Sequence, residues 1–322
     1  MRPGSFKKEI EMSEKLKKLP VPVLPTFVGT LTLGNVYGGL GYTWFRTFVM
    51  IAATIIIITY IFKIILCTSA CLEEYRQTVP SSLYAGFTMC LMILGSFYFE
   101  KGLAFGKWIW LVAVLIHAIH ILVFSLNNVI LKRDINTTLP SWFVTYNGIM
   151  VSCVTGAAMN MGWLLKIITV YGIIIYLVLI PIMIWRLATV PVKAAVYHTM
   201  PVVLAPCSLC VVSLVNVYES PNKILLYFLY FCVLASLLFI VVKLPDFFSF
   251  DFAPGFAGLT FPMAIGIVAT NKMAAFLTAQ GIESTAGMLT QISGFQLFLT
   301  SMLIGYVQLN FLRMLLGKKK RG

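Results

Sequence analysis

The feature that most constrains this chain is a series of ten long stretches that carry scarcely any charged residues. A helix that crosses the roughly 30 Å hydrocarbon core of a bilayer needs about 20 such residues. Because 60% of the residues are hydrophobic and only 11% are charged, a soluble globule is excluded. The sequence therefore predicts an all-α integral membrane protein with ten transmembrane helices. The predicted segments are centred on residues 21–40, 47–66, 80–99, 108–126, 141–161, 167–185, 199–218, 224–242, 255–270 and 291–312.

Helix-breaking residues alternate along these ten segments. The odd segments carry prolines and glycines, whereas the even ones are mostly aliphatic and aromatic, with Pro181 as the main exception. Interrupted backbone is tolerated in a membrane only where protein or a wet cavity receives its polar groups. The alternation predicts five helical hairpins around a central pore, with kinked odd helices inside and even helices facing lipid. The alternative is that glycine and proline are simply common in transmembrane helices.

Basic residues indicate which side of the membrane each loop faces. If all ten segments cross, 18 of the 24 lysines and arginines lie on the side of both termini and 6 on the other. Because basic loops are retained in the cytoplasm, both termini are predicted to be cytoplasmic, in a plasma or inner cell membrane. The net charge of +13 then has a topological origin, so anionic lipid rather than nucleic acid is the expected partner. The predicted division is a cytoplasmic N-terminal arm (1–19), a ten-helix pore domain (20–315) and a basic cytoplasmic tail (316–322).

The odd segments contain no Asp, Glu, Lys or Arg except Glu100, at the far edge of the third. Coupled transporters place carboxylates in mid-membrane, so this composition argues against a proton relay. Neutral groups such as those of Thr32, Asn35 and Ser208 can solvate an anion weakly at many points. The pattern favours a passive conduit for small inorganic or organic anions. For each polar side chain, a hydrogen bond between helices is the alternative interpretation.

The ninth segment, within residues 254–271, is the most interrupted of the ten. Pro262 lacks a backbone donor and its ring opposes the carbonyl four residues earlier, which predicts a kink near Gly258. Phe261, beside that kink, is predicted to project into the permeation path. A proline-kinked helix packed in a dry interior is the alternative.

Two further pairs of side chains have a spacing that occurs in catalytic or metal sites. His117 and His120 share a helix face in the fourth segment and could bind a metal or relay protons, but no carboxylate or thiol accompanies them there. Cys207 and Cys210 have CxxC spacing without a neighbouring redox motif. Packing roles are favoured for all four. No nucleophile and base can be paired, so neither an enzyme nor a bound cofactor is expected.

Three motifs carry a resemblance to a known family. They are Leu259-Thr260-Phe261-Pro262 after Pro254 in the ninth segment, Leu204-Ala205-Pro206-Cys207-Ser208 in the seventh, and Pro140-Ser141-Trp142-Phe143 leading to Gly148 in the fifth. The chain resembles the tellurite-resistance/dicarboxylate transporter family. That family includes the bacterial protein TehA, fungal malate and sulfite transporters, and the plant slow anion channels.

The resemblance implies a ten-helix fold of five hairpins, inner odd helices that form the pore, and a homotrimer with one pore per subunit. It also implies a phenylalanine that plugs each pore, and only Phe261 matches that residue. The chain departs from the family pattern at Thr145 and Tyr146, where relatives usually have prolines, and at Phe87, where a proline is common. These departures affect the expected kinks and pore width.

The predicted function is passive anion transport, as a channel or uniporter gated by Phe261. A carrier for C4-dicarboxylates, sulfite or tellurite-related anions, with proton coupling through His117 or His120, stays open as the alternative. The candidate pore-lining and kink residues are Pro25, Gly29, Pro80, Phe87, Tyr146, Gly148, Pro206, Ser208, Thr260 and Pro262.

Overall fold

The computed structural model describes residues 13–317 of the chain. Most of the predicted N-terminal arm and the basic run 318–321 of the predicted tail lie outside the described residues. Within residues 13–317 the regular structure is entirely helical. The prediction of an all-α architecture is therefore confirmed.

Eight helices in the described part of the chain are long and apolar enough to cross a bilayer. Five of them match the predicted even segments and three match the third, seventh and ninth segments. The eight are Thr43–Leu66, Thr78–Glu100, Phe105–Lys132, Gly162–Thr189, Ala194–Val217, Lys223–Phe248, Pro254–Ala279 and Glu283–Leu315.

The first and fifth predicted segments form shorter elements. The first is helix α1, Val23–Gly39, whose 17 residues extend about 26 Å at 1.5 Å per residue. The fifth consists of two single-turn helices on either side of a 3₁₀ turn, Gly148–Met150. Eight helices thus satisfy the length criterion, and the count of ten crossings stays a prediction.

The helices are numbered here in chain order. After α1 they are α2 (Thr43–Leu66), α3 (Thr68–Arg76), α4 (Thr78–Leu83), α5 (Ala85–Glu100), α6 (Phe105–Ser125), α7 (Trp142–Tyr146), α8 (Val151–Thr155), α9 (Gly162–Thr189), α10 (Leu204–Val217), α11 (Lys223–Phe248), α12 (Phe261–Ala279) and α13 (Glu283–Leu315).

In four odd segments a first helix ends before a second helix starts. In the third segment α4 precedes α5, and in the fifth α7 precedes α8. The seventh and ninth segments begin with 3₁₀ helices, Ala194–Val203 and Pro254–Leu259. The even segments are continuous by contrast, and Pro181 lies inside the uninterrupted α9. The helix interruptions therefore lie in the odd segments, whereas Pro181 does not interrupt α9.

Burial separates inner from outer helices. The buried share of the most apolar 18 residues differs between the eight spans. It is 83% in Ala194–Val217, 72% in Pro254–Ala279 and 67% in Thr78–Glu100, whereas it is at most 39% in the other five spans. Helices α1, α5, α8, α10 and α12 contact one another in that cyclic order, and α12 closes the ring on α1. Each of the five also contacts the helix that follows it, from α2 to α13. The odd segments thus form an inner ring with the even segments outside it.

Glycine permits a close approach of two helices within this ring. A Cβ atom added to Gly29 of α1 would lie 2.7 Å from the backbone nitrogen of Phe261 and 2.8 Å from the carbonyl carbon of Thr260. Gly39, at the other end of α1, has open space around it. The contact between α1 and the start of α12 is therefore set by the absence of a side chain at Gly29.

This contact generates the first prediction. Gly29→Ala must displace rigid backbone, and overpacking of this kind costs about 1–3 kcal/mol, more than the alanine gains in helix propensity. We expect a lower melting temperature in detergent for Gly29→Ala. The matched control in the same helix, Gly39→Ala, should leave the melting temperature unchanged or raise it. Equal melting temperatures for the two variants would contradict the close packing of α1 on Phe261.

Candidate functional site

The backbone is interrupted where α12 begins. The 3₁₀ helix Pro254–Leu259 ends at Thr260, whose φ and ψ of −91° and −74° connect it to α12. The Thr260 hydroxyl donates to the carbonyl oxygen of Ala257 at 2.7 Å. Pro262 lies in the first turn of α12, where a missing N–H leaves no hydrogen bond unmade. The predicted interruption is thus present, but it is a junction of two helices at Thr260 rather than a bend near Gly258.

Gly258 has a different role from the predicted hinge. A Cβ atom there would overlap the carbonyl oxygen of His198, so the glycine lets the ninth segment pack directly against the seventh. On the opposite side, Gly29 packs against the backbone of Thr260 and Phe261. The backbone that carries Phe261 is therefore held from two directions.

Two cavities lie at opposite ends of the inner ring. The first, of about 850 Å³, is bordered by the ends of inner helices, including Gly39 of α1, Glu100 of α5 and Thr155 of α8. The second, of about 580 Å³, is bordered by the beginnings of inner segments, including Pro80 and Ser141. Both cavities follow the axis of the ring from its two ends.

Phe261 is the one residue in the described part of the chain that borders both cavities. Only 5% of its surface is exposed. Its neighbours divide between the two sides, because Pro262 borders the second cavity and Ile265, one helical turn further along α12, borders the first. Phe261 thus lies where the two cavities approach each other.

The mouth of the first cavity carries a paired set of charges. The Arg46 guanidinium donates to Glu100 Oε2 at 2.6 Å and to Asn35 Oδ1 at 2.7 Å, and it lies 5.3 Å from the centre of the Phe97 ring. Ser96 donates to the other carboxylate oxygen of Glu100 at 3.2 Å. Glu100 is therefore neutralised. Sequence reasoning placed Glu100 at the edge of the third segment but missed Arg46, although opposite charges at two neighbouring helix ends are a usable signal.

The predicted pore residues divide into two groups. Pro25, Pro80 and Pro262 border the second cavity together with Phe261. The remaining candidates border neither of the two cavities described. These are Gly29, Phe87, Tyr146, Gly148, Pro206, Ser208 and Thr260.

Residues of the second group take part in hydrogen bonds and packing within the helical fold. The Ser208 hydroxyl donates to the Leu204 carbonyl oxygen at 2.7 Å, and Pro206 is buried in α10. The Tyr146 and Ser125 hydroxyls are hydrogen-bonded at 2.9 Å. Gly148 faces the His117 ring, since a Cβ there would lie 2.9 Å from Cε1. For these side chains the packing interpretation is the one that the geometry supports.

His117 and His120 belong to a buried network rather than to a cavity. His117 is hydrogen-bonded to the Thr88 hydroxyl at 2.7 Å and to the Thr145 carbonyl oxygen at 2.9 Å. His120 contacts the Tyr75 hydroxyl at 2.6 Å and Thr145 Oγ1 at 3.1 Å. Burial raises the pKa of the Tyr75 hydroxyl, so it stays a hydrogen-bond donor. Thr145, one of the departures from the family pattern, anchors both histidines.

All seven cysteines are free thiols. Cys207 Sγ contacts the Leu204 carbonyl oxygen at 3.3 Å, and Cys210 Sγ contacts the Gly172 carbonyl oxygen at 3.8 Å. Neither borders the two cavities described. The geometry supports the packing role predicted for this pair.

A buried ring of interrupted helices, surrounded by apolar helices and opened by a cavity at each end, defines a multi-pass membrane protein of the channel and transporter class. Residues 19–315 match the family described as voltage-dependent anion channel, SLAC1. The chain belongs to this family, which confirms the resemblance found in the sequence, and the members of the family are channels or transporters rather than enzymes. No curated protein matches the chain.

The histidine network generates the second prediction. His117→Ala leaves the buried Thr145 carbonyl oxygen without its partner, at a cost of about 1–3 kcal/mol, so the melting temperature should fall. Because the ring borders neither cavity, the dependence of anion transport on pH should stay as in the unaltered protein. Transport assays between pH 5 and 8, where histidine titrates, provide the measurement. A folded His117→Ala protein that loses a pH dependence of transport would place this histidine in the transport cycle.

Proposed function

We propose that this protein is a passive channel or uniporter for small anions, with ten membrane-crossing segments arranged as five hairpins. The path runs along the axis of the inner ring, through the first cavity, past Phe261 and into the second. Membership of the anion channel family supports the substrate class. The observation that carries the path is the position of Phe261 between two cavities at opposite ends of the ring.

Phe261 is proposed as the gate. An anion that passes the phenyl ring must shed water in a narrow, apolar place. Ile265, one helical turn further along α12, is apolar as well. The closed state is then a steric and dehydration barrier rather than an electrostatic trap.

The lining of the first cavity supports passive rather than coupled transport. Apart from the paired Arg46 and Glu100 and one lysine, Lys272, the inner helices offer it hydroxyl, amide and apolar groups such as those of Thr32, Asn35 and Val151. The two buried histidines that a proton-coupled carrier would need are bonded within the helix packing. An inside-negative potential of 100 mV favours exit of a monovalent anion by about 2.3 kcal/mol. Efflux is the expected direction.

The gate is tested by removing the ring. Phe261→Ala leaves the junction at Thr260 and Pro262 intact, so anion conductance in planar bilayers should rise several-fold or more while the melting temperature changes modestly. Phe261→Leu should give an intermediate conductance. The physical reason is that the dehydration step loses its narrowest point.

A matched control distinguishes a gate from a core residue. Phe256, five residues earlier, is fully buried, stacks on His198 with ring centres 3.9 Å apart and borders neither cavity. Phe256→Ala should cost roughly 3–5 kcal/mol, as in soluble cores, without raising conductance. If Phe261→Ala behaved like Phe256→Ala, with lower stability and unchanged current, the gate would be refuted.

Passive transport predicts a specific electrical signature. With different anion concentrations on the two sides of a bilayer that contains the purified protein, the current should reverse at the anion equilibrium potential. Imposing a pH gradient should leave that reversal potential unchanged. Concentrative uptake into proteoliposomes that collapses with a protonophore would favour the alternative, a proton-coupled carrier of dicarboxylate, sulfite or tellurite-related anions.

A homotrimer with one pore per subunit is proposed from the family resemblance. The outer helices present large apolar side chains such as Ile174, Phe231 and Leu238, which are 57%, 67% and 64% exposed in the single chain. These faces suit lipid or a neighbouring copy equally well. The mass of the solubilised protein, corrected for detergent, should correspond to three copies of the 35.9 kDa chain, and a monomer at all concentrations would exclude the trimer.

The orientation is proposed from the distribution of basic residues. The second cavity shares its side with the start of the first segment, so it would open to the cytoplasm of a plasma or inner cell membrane. A reporter enzyme fused to the C-terminus that is active only in the cytoplasm tests this. An inactive reporter on a folded protein would reverse the assignment.

A further inference from the structure

The second cavity contains a buried arginine that has no acidic partner among residues 13–317. Arg186 lies in the last turn of α9, borders this cavity and is only 3% exposed. Among residues 13–317, no carboxylate lies within ion-pair distance of its guanidinium. A buried cation without a counter-ion is costly, because the interior screens charge poorly and water is excluded. The site is therefore electrostatically prepared for an anion.

Two backbone hydrogen bonds fix the orientation of this guanidinium. Nε donates to the carbonyl oxygen of Ile135 at 3.2 Å, and Nη1 donates to that of Val190 at 2.6 Å. No acceptor is found for Nη2 in the described part of the chain. The guanidinium is thus fixed through Nε and Nη1. The N–H groups of Nη2 can donate to a ligand in the cavity.

A second, independent group in the same cavity needs a partner. The hydroxyl of Ser141 is fully buried, and no described residue donates to it or accepts from it. Its side chain does not cap α7, although it directly precedes that helix. Leaving a buried hydroxyl unpaired costs about 1–3 kcal/mol. A ligand oxygen in the cavity would satisfy it.

The other ionisable groups that border this cavity do not cancel the charge of Arg186. Asp134 is exposed, and its Oδ1 accepts from the backbone and side chain of Asn136, both at 2.9 Å. His198 Nε2 is bonded to the carbonyl oxygen of Phe247 at 3.0 Å. Lys193, at the exposed rim, adds a second positive charge. The wall of the cavity is therefore positive on balance.

The first cavity provides the contrast. Its arginine, Arg46, is already bound to a carboxylate and an amide oxygen, and 24% of its side chain is exposed to solvent. A cation in that state has little attraction left for a passing anion. The two sides of Phe261 thus differ: the first cavity has an arginine bound to a carboxylate and a partly exposed lysine, Lys272, whereas the second has a buried arginine with no carboxylate partner among the described residues.

We propose that the second cavity is a recognition site for a small carboxylate, held by the guanidinium of Arg186 and the hydroxyl of Ser141. This inference rests on the proposed path past Phe261, of which the site would be the binding step. A carboxylate has two oxygens in one plane, so one can accept from Nη2 while the other accepts from Ser141, whereas a spherical halide offers no such division. At about 580 Å³ the cavity has the size of small-molecule sites in proteins.

The experiment measures binding first, so that it does not depend on transport. The melting temperature of the detergent-solubilised protein is followed in increasing sodium acetate, against sodium chloride at the same ionic strength. Acetate should stabilise the protein more than chloride. Arg186→Lys keeps the charge but loses the planar donors, and it should weaken the apparent acetate affinity by about tenfold or more. Ser141→Ala breaks no hydrogen bond of the described structure. It should weaken the apparent acetate affinity by about three- to tenfold.

Arg133→Gln is the matched control. Arg133 is an exposed arginine between the fourth and fifth segments that also donates its Nε to a backbone carbonyl, that of Ile130 at 2.9 Å, but it borders neither cavity. This variant should keep the acetate effect. If Arg186→Lys is too unstable to purify, the acetate effect on the melting temperature of Ser141→Ala tests the proposal by itself. Equal stabilisation by acetate and chloride, or an acetate effect that survives in both test variants, would overturn the proposal.

A transport arm separates this inference from the proposed channel. In the Phe261→Ala background, the acetate-to-chloride permeability ratio should fall when Arg186→Lys or Ser141→Ala is added, and stay unchanged with Arg133→Gln. If the current persists and the acetate-to-chloride permeability ratio does not change, the carboxylate site is refuted and the channel proposal stands. Acetate binding that follows the expected pattern without any current would keep the site and reject the channel.

Discussion

A backbone group that leaves its helical hydrogen bond inside a bilayer must find a partner within the protein, because lipid offers none. The inner ring consists of interrupted helices, so it requires a surrounding shell. Two interruptions illustrate this: Asn147 and Thr260 are both fully buried. Asn147 donates its side-chain nitrogen to the carbonyl oxygen of Gly172 in an outer helix, and Thr260 donates to Ala257. At Asn147 the interrupted inner segment is thus tied to a continuous outer helix by a hydrogen bond.

The same interruptions position the candidate gate. Because the ninth segment changes from a 3₁₀ helix to an α-helix at Thr260, Phe261 begins a new helix at the level where the two cavities end. Gly29 and Gly258 let neighbouring segments press against this junction. Among the described residues, the Arg46 guanidinium on one side is paired with Glu100, whereas Arg186 on the other side has no carboxylate partner. The helix junction, the candidate gate and the charge asymmetry thus belong to one arrangement.

Sequence reasoning predicted the class, the inner and outer roles and Phe261, because these depend on composition, on helix breakers and on a specific motif. It could not locate the break at Thr260, since a proline in a first turn and a proline in a helix interior look alike in sequence. It missed the environment of Arg186, one of the 18 basic residues expected on the side of both termini. Only the folded chain shows that this side chain is buried, that its neighbours are backbone carbonyls and that Ser141 shares its cavity.

The central claim is that one path crosses the inner ring and that Phe261 alone interrupts it. Side-specific labelling of introduced cysteines tests this directly, because none of the seven native thiols borders the described cavities. Val154 borders the first cavity and Val79 the second, and both are partly exposed. With a small anionic thiol reagent, Val154→Cys and Val79→Cys should react from opposite sides of the membrane, and each from both sides once Phe261→Ala is added. Reaction of the two cysteines from the same side, or sidedness that persists without the ring, would contradict the claim.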